Sequence, residues 1–538
     1  MTTLQPDIVA DVIVIGGGFG GCYALHKLRG MRYSVKLLEA GSDFGGVWHF
    51  NRYPGARVDS EVPLYQLSLP EASRSYKFLE RFPGYVELQQ YFAQMTERLD
   101  LHKDSIFNVR VTEAKYNSDT QTWRFLTQCG LTAVSRYVVF ATGTTNKPYI
   151  PDFPGLAKFH GKVIHPAAWP SRLDLKGKKV GLIGQGASGL QILQELAKED
   201  CELSVFVRNP PTAIAMGQRI ISSEEAEQSK NHYDALFMYA KNQSPTGYQH
   251  NVCKKSFYET PFEERRQSYE DLWARGGYAL LTSNYPEISF DKFANAELYQ
   301  FWAEKVRPRI TSATKREIMA PLEQFQWIGA KRPNLEMDYY EMIDRPNVEL
   351  VSLKQNKIKA FAEKGIITTG SDGERFHELD LVIVATGYDS VTGSLYEMNI
   401  HDKHGVKLQD RWKHEIQTWL GMMIPDVPNA FMLYGPQAPS GLANGPPFLE
   451  MQVDWLVELL TKTREKQGVI EVSYAAAKVY RDLNLQAYDR SLIRETPSWW
   501  NGSNIPGKVI EPLFWVGGLQ AWRQQCDEGL ENWSRFIV

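Results

Sequence analysis

A pattern of strand, glycine loop, helix and second strand occurs twice in this chain and constrains its fold more than any other feature. In each copy a short apolar run leads into a G-x-G-x-x-G loop, at residues 16–21 and again at residues 184–189. An amphipathic segment and a second apolar run follow each loop. Such a unit folds as a parallel βαβ motif whose helix begins beside a bound pyrophosphate. The repeat therefore predicts an α/β protein with two Rossmann-like dinucleotide-binding domains.

The three glycines of each loop have different tasks. The first permits the tight turn, the second lets the backbone approach a pyrophosphate, and the third lets helix and strand pack closely. Because strand, loop, helix and second strand stand in register, a chance match is a poor explanation. The predicted cofactor-binding glycines are Gly16, Gly18 and Gly21 in the first copy, and Gly184, Gly186 and Gly189 in the second.

The residue that ends the second strand differs in charge between the two copies. Glu39 stands there in the first copy and Arg208 in the second. A carboxylate accepts hydrogen bonds from ribose hydroxyls, whereas a guanidinium pairs with the 2′-phosphate of NADPH, which a carboxylate would repel. The first fold is therefore predicted to bind FAD and the second NADPH. A solvated surface arginine is the alternative for Arg208.

Two late apolar strands, each running into Ala-Thr-Gly, indicate where the chain leaves each fold, near residues 143 and 387. Pro148, Pro151 and Pro154 predict a stiff crossing between the domains. Charged, helix-favouring stretches later in the second unit predict a mainly helical insertion. The predicted limits are 1–145 and 389–538 for the FAD domain, 146–214 and 329–388 for the NADPH domain, and 215–328 for the insertion.

Composition and charge exclude several classes of function. A net charge of -3 offers no basic face for a phosphate backbone, which argues against nucleic-acid binding. Five scattered cysteines without a C-x-x-C pair indicate reduced thiols, and no metal site is expected. The sequence lacks an apolar run long enough to cross a membrane, and residues 1–10 do not resemble a secretory signal. We expect a cytoplasmic protein without a membrane partner, either a monomer or a weak homo-oligomer.

The linker before the second glycine loop makes a closer resemblance specific. It contains Phe159-x-Gly161-x-x-x-His165-x-x-x-Trp169-Pro170, which closely resembles the fingerprint of type I Baeyer–Villiger monooxygenases. Related flavin monooxygenases, including those that hydroxylate nitrogen, usually end this string differently, so the final Trp-Pro favours the Baeyer–Villiger branch. Further family-like segments follow in the expected order along nearly the whole chain, at residues 45–48, 53–59, 331–333, 385–388, 435–436, 498–499 and 504–508.

The resemblance implies a mechanism and two catalytic residues. NADPH reduces FAD, and the reduced flavin and O₂ form a C4a-peroxyflavin that attacks a ketone to give an ester or lactone. Because the peroxide and the adduct are anionic, the chemistry needs a fixed cation beside the flavin. Arg332 matches the family's active-site arginine and Asp59 the carboxylate that orients it, at the junction of the two domains. An ion pair between domains without a chemical role is the alternative.

The resemblance also implies roles around the cofactors. Lys331 matches a residue that joins Arg208 at the 2′-phosphate, and Trp499 matches a tryptophan that contacts the nicotinamide side. Trp48 is expected near the flavin, and core packing is the alternative for both tryptophans. His165 is expected to couple domain positions, not to move protons. Residues 440–447 correspond to a loop that borders the substrate pocket.

Two other functions stay open at this stage. A flavin monooxygenase that attacks nitrogen or sulfur shares both dinucleotide folds but has less need for an anionic peroxide held by Arg332. An NADPH-sensing flavoprotein without turnover would keep the folds, although it would not need a cation at the flavin. A dithiol–disulfide reductase is a poorer match because the sequence has no cysteine pair.

Overall fold

Two separate sheets organise the chain in the computed structural model, which describes residues 5–464 and 468–537. Residues 1–4 lie outside the described residues, as does Val538. The first four belong to the segment 1–10, which was predicted not to be a secretory signal. The first sheet has eight strands, seven of which lie in the order Ile400–His401, Val111–Asn117, Thr122–Thr127, Thr132–Phe140, Ile8–Ile15, Val35–Leu38 and Ser105–Ile106. The eighth strand, Ala430–Met432, also pairs with Thr132–Phe140.

The strand Ile8–Ile15 is the centre of the first sheet, and its side chains alternate between two hydrophobic cores. Val12 and Val14 pack on the side of the helix Phe19–Gly30. Ile13 and Ile15 pack on the opposite side. A parallel strand that is buried on both faces requires an unbroken apolar run, which is why this segment was recognisable. The helix Phe19–Gly30 in turn packs against the long helix Gly445–Thr463.

The second sheet has five parallel strands. Their order is Val348–Ser352, Cys201–Val207, Lys178–Ile183, Leu381–Val384 and Lys162–Ile164. The helices Ala187–Leu196 and Tyr339–Asp344 pack together beside it. A three-stranded antiparallel sheet adjoins its opposite face, formed by Lys357–Ala362, Gly365–Gly370 and Gly373–Glu378.

A mainly helical insertion interrupts the second unit. It leaves and rejoins the unit beside a short parallel pair of strands, Ile214–Ala215 and Leu335–Glu336. Side chains of Ser222, Asp291 and Ser312 cap three of its helices by accepting backbone N–H bonds. The α-helices of the insertion are Ser223–Ser229, Tyr233–Asn242, Phe262–Arg275, Ala279–Thr282, Lys292–Val306 and Ala313–Met319. The predicted α/β fold class, with two Rossmann-like units and a helical insertion in the second, is confirmed.

The remaining helices belong to the first unit or its C-terminal extension. These are Val47–Phe50, Pro70–Ser73, Tyr85–Arg98, Gly393–Glu397, Leu408–Arg411, Tyr474–Asp489 and Leu519–Glu531. Close to the C-terminus, Phe536–Ile537 pairs antiparallel with Glu471–Val472. Among the described helices, none has the length and apolar character that crossing a bilayer requires. The exact domain limits stay predictions.

Candidate active site

The first glycine of each loop occupies the same local environment in both units. Gly16 has a φ of 107° and Gly184 a φ of 97°, a backbone region that side chains other than glycine rarely adopt. A Cβ atom at either position would lie 2.5 Å from a carbonyl oxygen, that of Ala141 or of Ala385. These two alanines begin the Ala-Thr-Gly segments that end the late strands. In each unit, the alanine that follows the late apolar strand therefore packs directly against the first glycine of the loop.

The third glycine of each loop is required by packing. A Cβ at Gly21 would lie 1.8 Å from the oxygen of Gly16, and one at Gly189 would lie 2.1 Å from the oxygen of Gly184. No side chain can occupy such a position without moving the turn. The third glycine thus lets the helix begin directly against the loop that precedes it.

The second glycine of each loop instead faces open space. A Cβ at Gly186 would meet no atom within 4 Å, and one at Gly18 would meet only Gly46, at 3.7 Å. Both glycines are N-caps, of the helices Ala187–Leu196 and Phe19–Gly30, and no side chain caps either helix. Helix N-terminal N–H groups without side-chain partners beside open space suit an anion. Both loops therefore fit the pyrophosphate of a dinucleotide.

Glu39 directly follows the strand Val35–Leu38, and its buried side chain binds the first glycine loop. Its two carboxylate oxygens accept hydrogen bonds from the backbone N–H groups of Gly17 (2.5 Å) and Gly41 (2.6 Å). Burial raises the pKa of Glu39, although these backbone hydrogen bonds oppose the shift. The side chain thus stabilises the first glycine loop, and its contact with a ribose stays a prediction.

Arg208 and Lys331 form a pair of cations at the corresponding end of the second unit. Arg208 is exposed after the strand Cys201–Val207, and Lys331 is half-buried. Burial and the nearby charge of Arg208 lower the pKa of Lys331 to about 8. Neither cation has a carboxylate partner in the part of the chain that the structure describes. Two neighbouring cations without a carboxylate partner among the described residues are a suitable site for a phosphate dianion.

The two predicted cofactor tryptophans lie in different surroundings. Trp48 is 8% exposed, donates its indole N–H to the Tyr65 hydroxyl (3.0 Å) and meets that ring edge-on. Trp499 is half-buried and packs against the fully buried Trp500. Both surroundings are compatible with core packing and with a cofactor wall, so these two assignments stay predictions.

His165 lies in the segment that connects the two units, and both nitrogens of its ring make hydrogen bonds. Its Nδ1 accepts a hydrogen bond from the backbone N–H of Ala167 (3.1 Å), and its Nε2 lies 3.0 Å from the carbonyl oxygen of Gly387. Because Nδ1 accepts, the proton of the neutral ring is on Nε2 and is donated to Gly387. Burial lowers the pKa of His165, and the bond to Gly387 only partly offsets this effect. A neutral His165 thus links the first interdomain segment to Gly387, where the chain leaves the second unit, as expected for a residue that couples the positions of the two units.

Arg332 and Asp59 form a bidentate ion pair at the junction of the two units. The Nε and Nη2 groups of Arg332 donate to the two oxygens of Asp59, each at 2.7 Å. Burial alone would raise the pKa of Asp59, but the charge of Arg332 holds it below its usual value. Burial would likewise lower the pKa of Arg332, but the Asp59 carboxylate raises it well above the usual value. The pair is therefore permanently charged.

Three further groups support this ion pair: two tyrosines that were not identified from the sequence, and Gly441, which lies in the predicted loop at 440–447 but whose contact with Arg332 was not predicted. Tyr278 donates its hydroxyl to Asp59 (2.7 Å), and its ring lies 5.0 Å from the Arg332 guanidinium. The hydroxyl of Tyr248 accepts from Nη2 of Arg332 (3.3 Å), and the carbonyl oxygen of Gly441 accepts from Nη1 (3.0 Å). The tyrosines belong to the helical insertion and Gly441 to the loop at 440–447. Four separate parts of the chain thus meet at this point.

One N–H group of Arg332 has no partner within residues 5–464 and 468–537. A guanidinium has five N–H donors. Four of them are used, two by Asp59, one by Tyr248 and one by Gly441. Among the described residues none accepts the fifth, which is on Nη1. The site therefore presents a fixed, charged hydrogen-bond donor to whatever occupies the junction.

Comparisons with known proteins agree with this geometry. Residues 10–220 match the family described as flavin-binding monooxygenase-like. The chain is 36% identical to cyclopentanone 1,2-monooxygenase of Comamonas sp. (strain NCIMB 9872), over 97% of this chain and 94% of that protein. It is 34% identical to a phenazine N-monooxygenase of Lysobacter antibioticus, over 98% and 97% of the two chains.

Solved structures extend the similarity to three dimensions. The structure of cyclohexanone monooxygenase from Rhodococcus sp. Phi1 bound to NADP⁺ superposes with a TM-score of 0.93. The two chains are 32% identical, and the match covers 99% of each. The match thus spans both dinucleotide units and the insertion. The chain belongs to the Baeyer–Villiger monooxygenases of the flavin-binding monooxygenase-like family.

Proposed function

We propose that this chain uses NADPH and O₂ to insert one oxygen atom beside a ketone carbonyl, which gives an ester or a lactone. The observation that carries the proposal is the N–H group on Nη1 of Arg332 that no described residue accepts. A charged donor held in place before the reaction stabilises an oxygen atom that gains negative charge during it. Attack on a ketone generates such an oxygen from the carbonyl group.

The two dinucleotide units divide the cofactors between them. We assign FAD to the first unit, where Gly18 leaves space before an uncapped helix. NADPH is assigned to the second unit, where Gly186 leaves similar space and the Arg208–Lys331 pair can bind the 2′-phosphate. When bound, FAD supplies the redox chemistry, because it accepts a hydride from NADPH and passes electrons to O₂.

The chain itself supplies a fixed charge at the reacting carbonyl. At about 4 Å and an effective dielectric near 20, a unit positive charge attracts an oxyanion by about 4 kcal/mol. Asp59 fixes the direction of the Arg332 guanidinium through two hydrogen bonds. Tyr278 and Tyr248, which contact the ion pair, are 3% and 1% exposed. They therefore exclude water from the side of the ion pair that they cover. The charge is therefore oriented before the ketone binds.

Oxygenation of nitrogen or sulfur is the second candidate function. The similarity to a phenazine N-monooxygenase over nearly the full length of both chains favours keeping it. Transfer of oxygen to an amine or a sulfide creates no carbonyl oxyanion, so it has less need for the free N–H of Arg332. The two functions therefore differ in how strongly the product yield depends on this residue.

Replacing Arg332 with alanine tests the proposal. FAD content and flavin reduction by NADPH should be retained, while the rate of ester formation should fall by about 10²-fold or more, as when an oxyanion donor is removed. The measurements are anaerobic bleaching of the flavin and mass-spectrometric yield of ester from cyclic, linear and aryl ketones.

A matched control is available in the helical insertion. Arg265 also makes a bidentate, largely buried ion pair, with Glu297 at 2.8 and 2.6 Å. Arg265→Ala should lower stability but not change the fraction of NADPH that yields ester. Ester formation by Arg332→Ala at the wild-type rate, or equal losses in both variants, would contradict the assignment.

Location and assembly belong to the same proposal. We expect a cytoplasmic enzyme that is a monomer or a weak homo-oligomer, and that takes a small ketone and O₂ from solution. Cell fractionation and light scattering of the purified holoenzyme measure these properties. Recovery in a membrane fraction, or a stable large assembly, would contradict this expectation.

A further inference from the structure

A second buried cluster lies behind the catalytic ion pair and has no part in the proposed reaction. Glu61 is 4% exposed and accepts a hydrogen bond on Oε2 from the Nε of Arg81 (2.7 Å). Its other oxygen lies 2.9 Å from Nε2 of His250, a side chain that is 3% exposed. The Nδ1 atom of His250 lies 2.6 Å from Oγ1 of Thr282. The cluster joins the first unit to the helical insertion.

Hydrogen-bond geometry determines the proton on Nε2 of the His250 ring. On the other side of the ring, Oγ1 of Thr282 lies within hydrogen-bond distance of both Nδ1 and the carbonyl oxygen of Tyr278 (2.6 and 2.9 Å), and its one hydroxyl proton is donated to one of them. Burial would raise the pKa of Glu61, but the hydrogen bond from His250 and the charge of Arg81 hold it below its usual value. Glu61 is thus a carboxylate, and a bare Nε2 facing it would be repelled. Nε2 of His250 therefore carries a proton and donates it to Glu61.

The same histidine contacts one tyrosine of the catalytic centre directly and is linked to the other through Thr282. Its ring stacks on that of Tyr248, with ring centroids 5.8 Å apart and planes 10° apart. Tyr248 contacts Arg332, and its hydroxyl also lies 2.9 Å from Oγ of Ser60. Through Thr282, which bonds the backbone of Tyr278, His250 also holds the second tyrosine. One buried ring thus connects the supports of both members of the ion pair.

We propose that His250, held by hydrogen bonds between Glu61 and Thr282, is a positioning residue that fixes Tyr248 and Tyr278 and thereby aims the guanidinium of Arg332. This role rests on the proposed function, because it concerns the placement of the same N–H group. The His250 ring is not one of the groups assigned to the substrate or the cofactors. It acts by fixing the positions of two aromatic side chains, in the way that residues next to metal ligands and catalytic groups orient them without touching the substrate.

His250→Gln in the FAD-bound enzyme is the functional test. The amide cannot stack as a ring or bridge Glu61 and Thr282 together, so Tyr248 loses its support. Flavin reduction by NADPH should stay near the wild-type rate. The fraction of NADPH that gives ester should fall by about tenfold, a scale typical of groups that orient a functional side chain, and hydrogen peroxide should replace the lost ester.

A matched control histidine lies in the three-stranded sheet. His377 is 4% exposed, with Nε2 at 3.0 Å from the Thr368 hydroxyl and Nδ1 at 3.8 Å from Glu349. It thus has the same kinds of neighbours but is remote from the ion pair. His377→Gln should leave the ester yield per NADPH unchanged. A wild-type yield in His250→Gln, or the same fall in His377→Gln, would overturn the positioning role.

The protonation state is tested separately by nuclear magnetic resonance of enzyme labelled in its histidine rings. The signal that is lost in His250→Gln should show a protonated Nε2 at pH 7.5. Glu61→Gln should change the ¹⁵N shift of that nitrogen, because its hydrogen-bond acceptor loses its charge, and this change also identifies the signal if His250→Gln does not fold. An Nε2 without a proton in the wild type, or no change in Glu61→Gln, would overturn the proton assignment. If the wild type forms no ester from any ketone, the proposed function fails, and these shifts still test the cluster.

Discussion

Replacing Asp59 with asparagine removes one charge from the centre of the site without changing the shape of the side chain. In the structure, Oδ2 of Asp59 accepts from Nε of Arg332 and from the hydroxyl of Tyr278, and Oδ1 accepts from Nη2 of Arg332. All three partners are donors. An amide has only one oxygen, so its NH₂ group must face at least one of these donors.

The magnitude of the effect follows from this count. If the amide oxygen takes the place of Oδ2, two hydrogen bonds are kept and the one to Nη2 becomes a donor–donor contact. One hydrogen bond to a charged group contributes about 1.5–3 kcal/mol. Gly441 and Tyr248 still hold Arg332, so we expect a loss of about 2–3 kcal/mol in orienting it. Because each 1.36 kcal/mol is a factor of ten in rate, ester formation should fall about 30- to 150-fold.

A single-turnover experiment separates this loss from other effects. The enzyme is first reduced with NADPH without oxygen, and the bleaching of the flavin is followed. Oxygen and ketone are then added, and ester and hydrogen peroxide are measured. The reduction rate should change by less than about threefold while ester is replaced by hydrogen peroxide. A wild-type ester yield would refute the reasoning, as would an equal fall in reduction and in ester formation.

The other predictions concern the binding of NADPH. The pKa of Lys331 is lowered to about 8, so above that pH the free enzyme must take up a proton before it binds the 2′-phosphate. The KM for NADPH should therefore rise above pH 8, by up to about tenfold per pH unit. An equal rise in the KM for NADH would contradict the assignment. Arg208→Ala should weaken NADPH relative to NADH by about 1.5–3 kcal/mol in paired titrations, and an unchanged preference would mean that the 2′-phosphate binds elsewhere. Gly186→Ala should melt near the wild-type temperature, because its Cβ meets no atom within 4 Å, yet bind NADPH more weakly; unchanged binding would exclude this loop as the pyrophosphate site. Gly189→Ala, with a Cβ 2.1 Å from a carbonyl oxygen, should lose several kcal/mol of stability in chemical denaturation, and a wild-type unfolding midpoint would show that the turn can move.

The fold was largely predictable because its two central units have strong local signatures. A buried parallel strand needs an unbroken apolar run, and the turn after it needs glycine at defined positions. The structure gives the physical reasons, since Gly16 has a positive φ and a Cβ at Gly21 would overlap a carbonyl oxygen. The antiparallel sheet from Lys357–Ala362 onward was not predicted. Its short strands follow no glycine loop, and although Lys357–Ala362 alternates between exposed and less exposed residues, Gly373–Glu378 does not.

The site was predictable only in part. Arg332 and Asp59 were singled out because they stand in motifs that resemble a known family, and the structure joins them at 2.7 Å. Tyr248 and Tyr278 could not be singled out among the chain's 26 tyrosines, because they lie in irregular parts of the insertion where no periodicity indicates which side chains point inward. Gly441 acts through its backbone oxygen, which no side-chain pattern reveals.

The most direct test of the central claim is the fate of molecular oxygen in the complete reaction. The purified holoenzyme is incubated with NADPH, ¹⁸O₂ and a set of cyclic, linear and aryl ketones, and the products are analysed by mass spectrometry. With an accepted ketone, we expect an ester or lactone that carries one ¹⁸O atom for each NADPH that the enzyme oxidises. If the whole set yields only hydrogen peroxide, and amines or sulfides gain the labelled oxygen instead, the assignment to ketone oxygenation is contradicted.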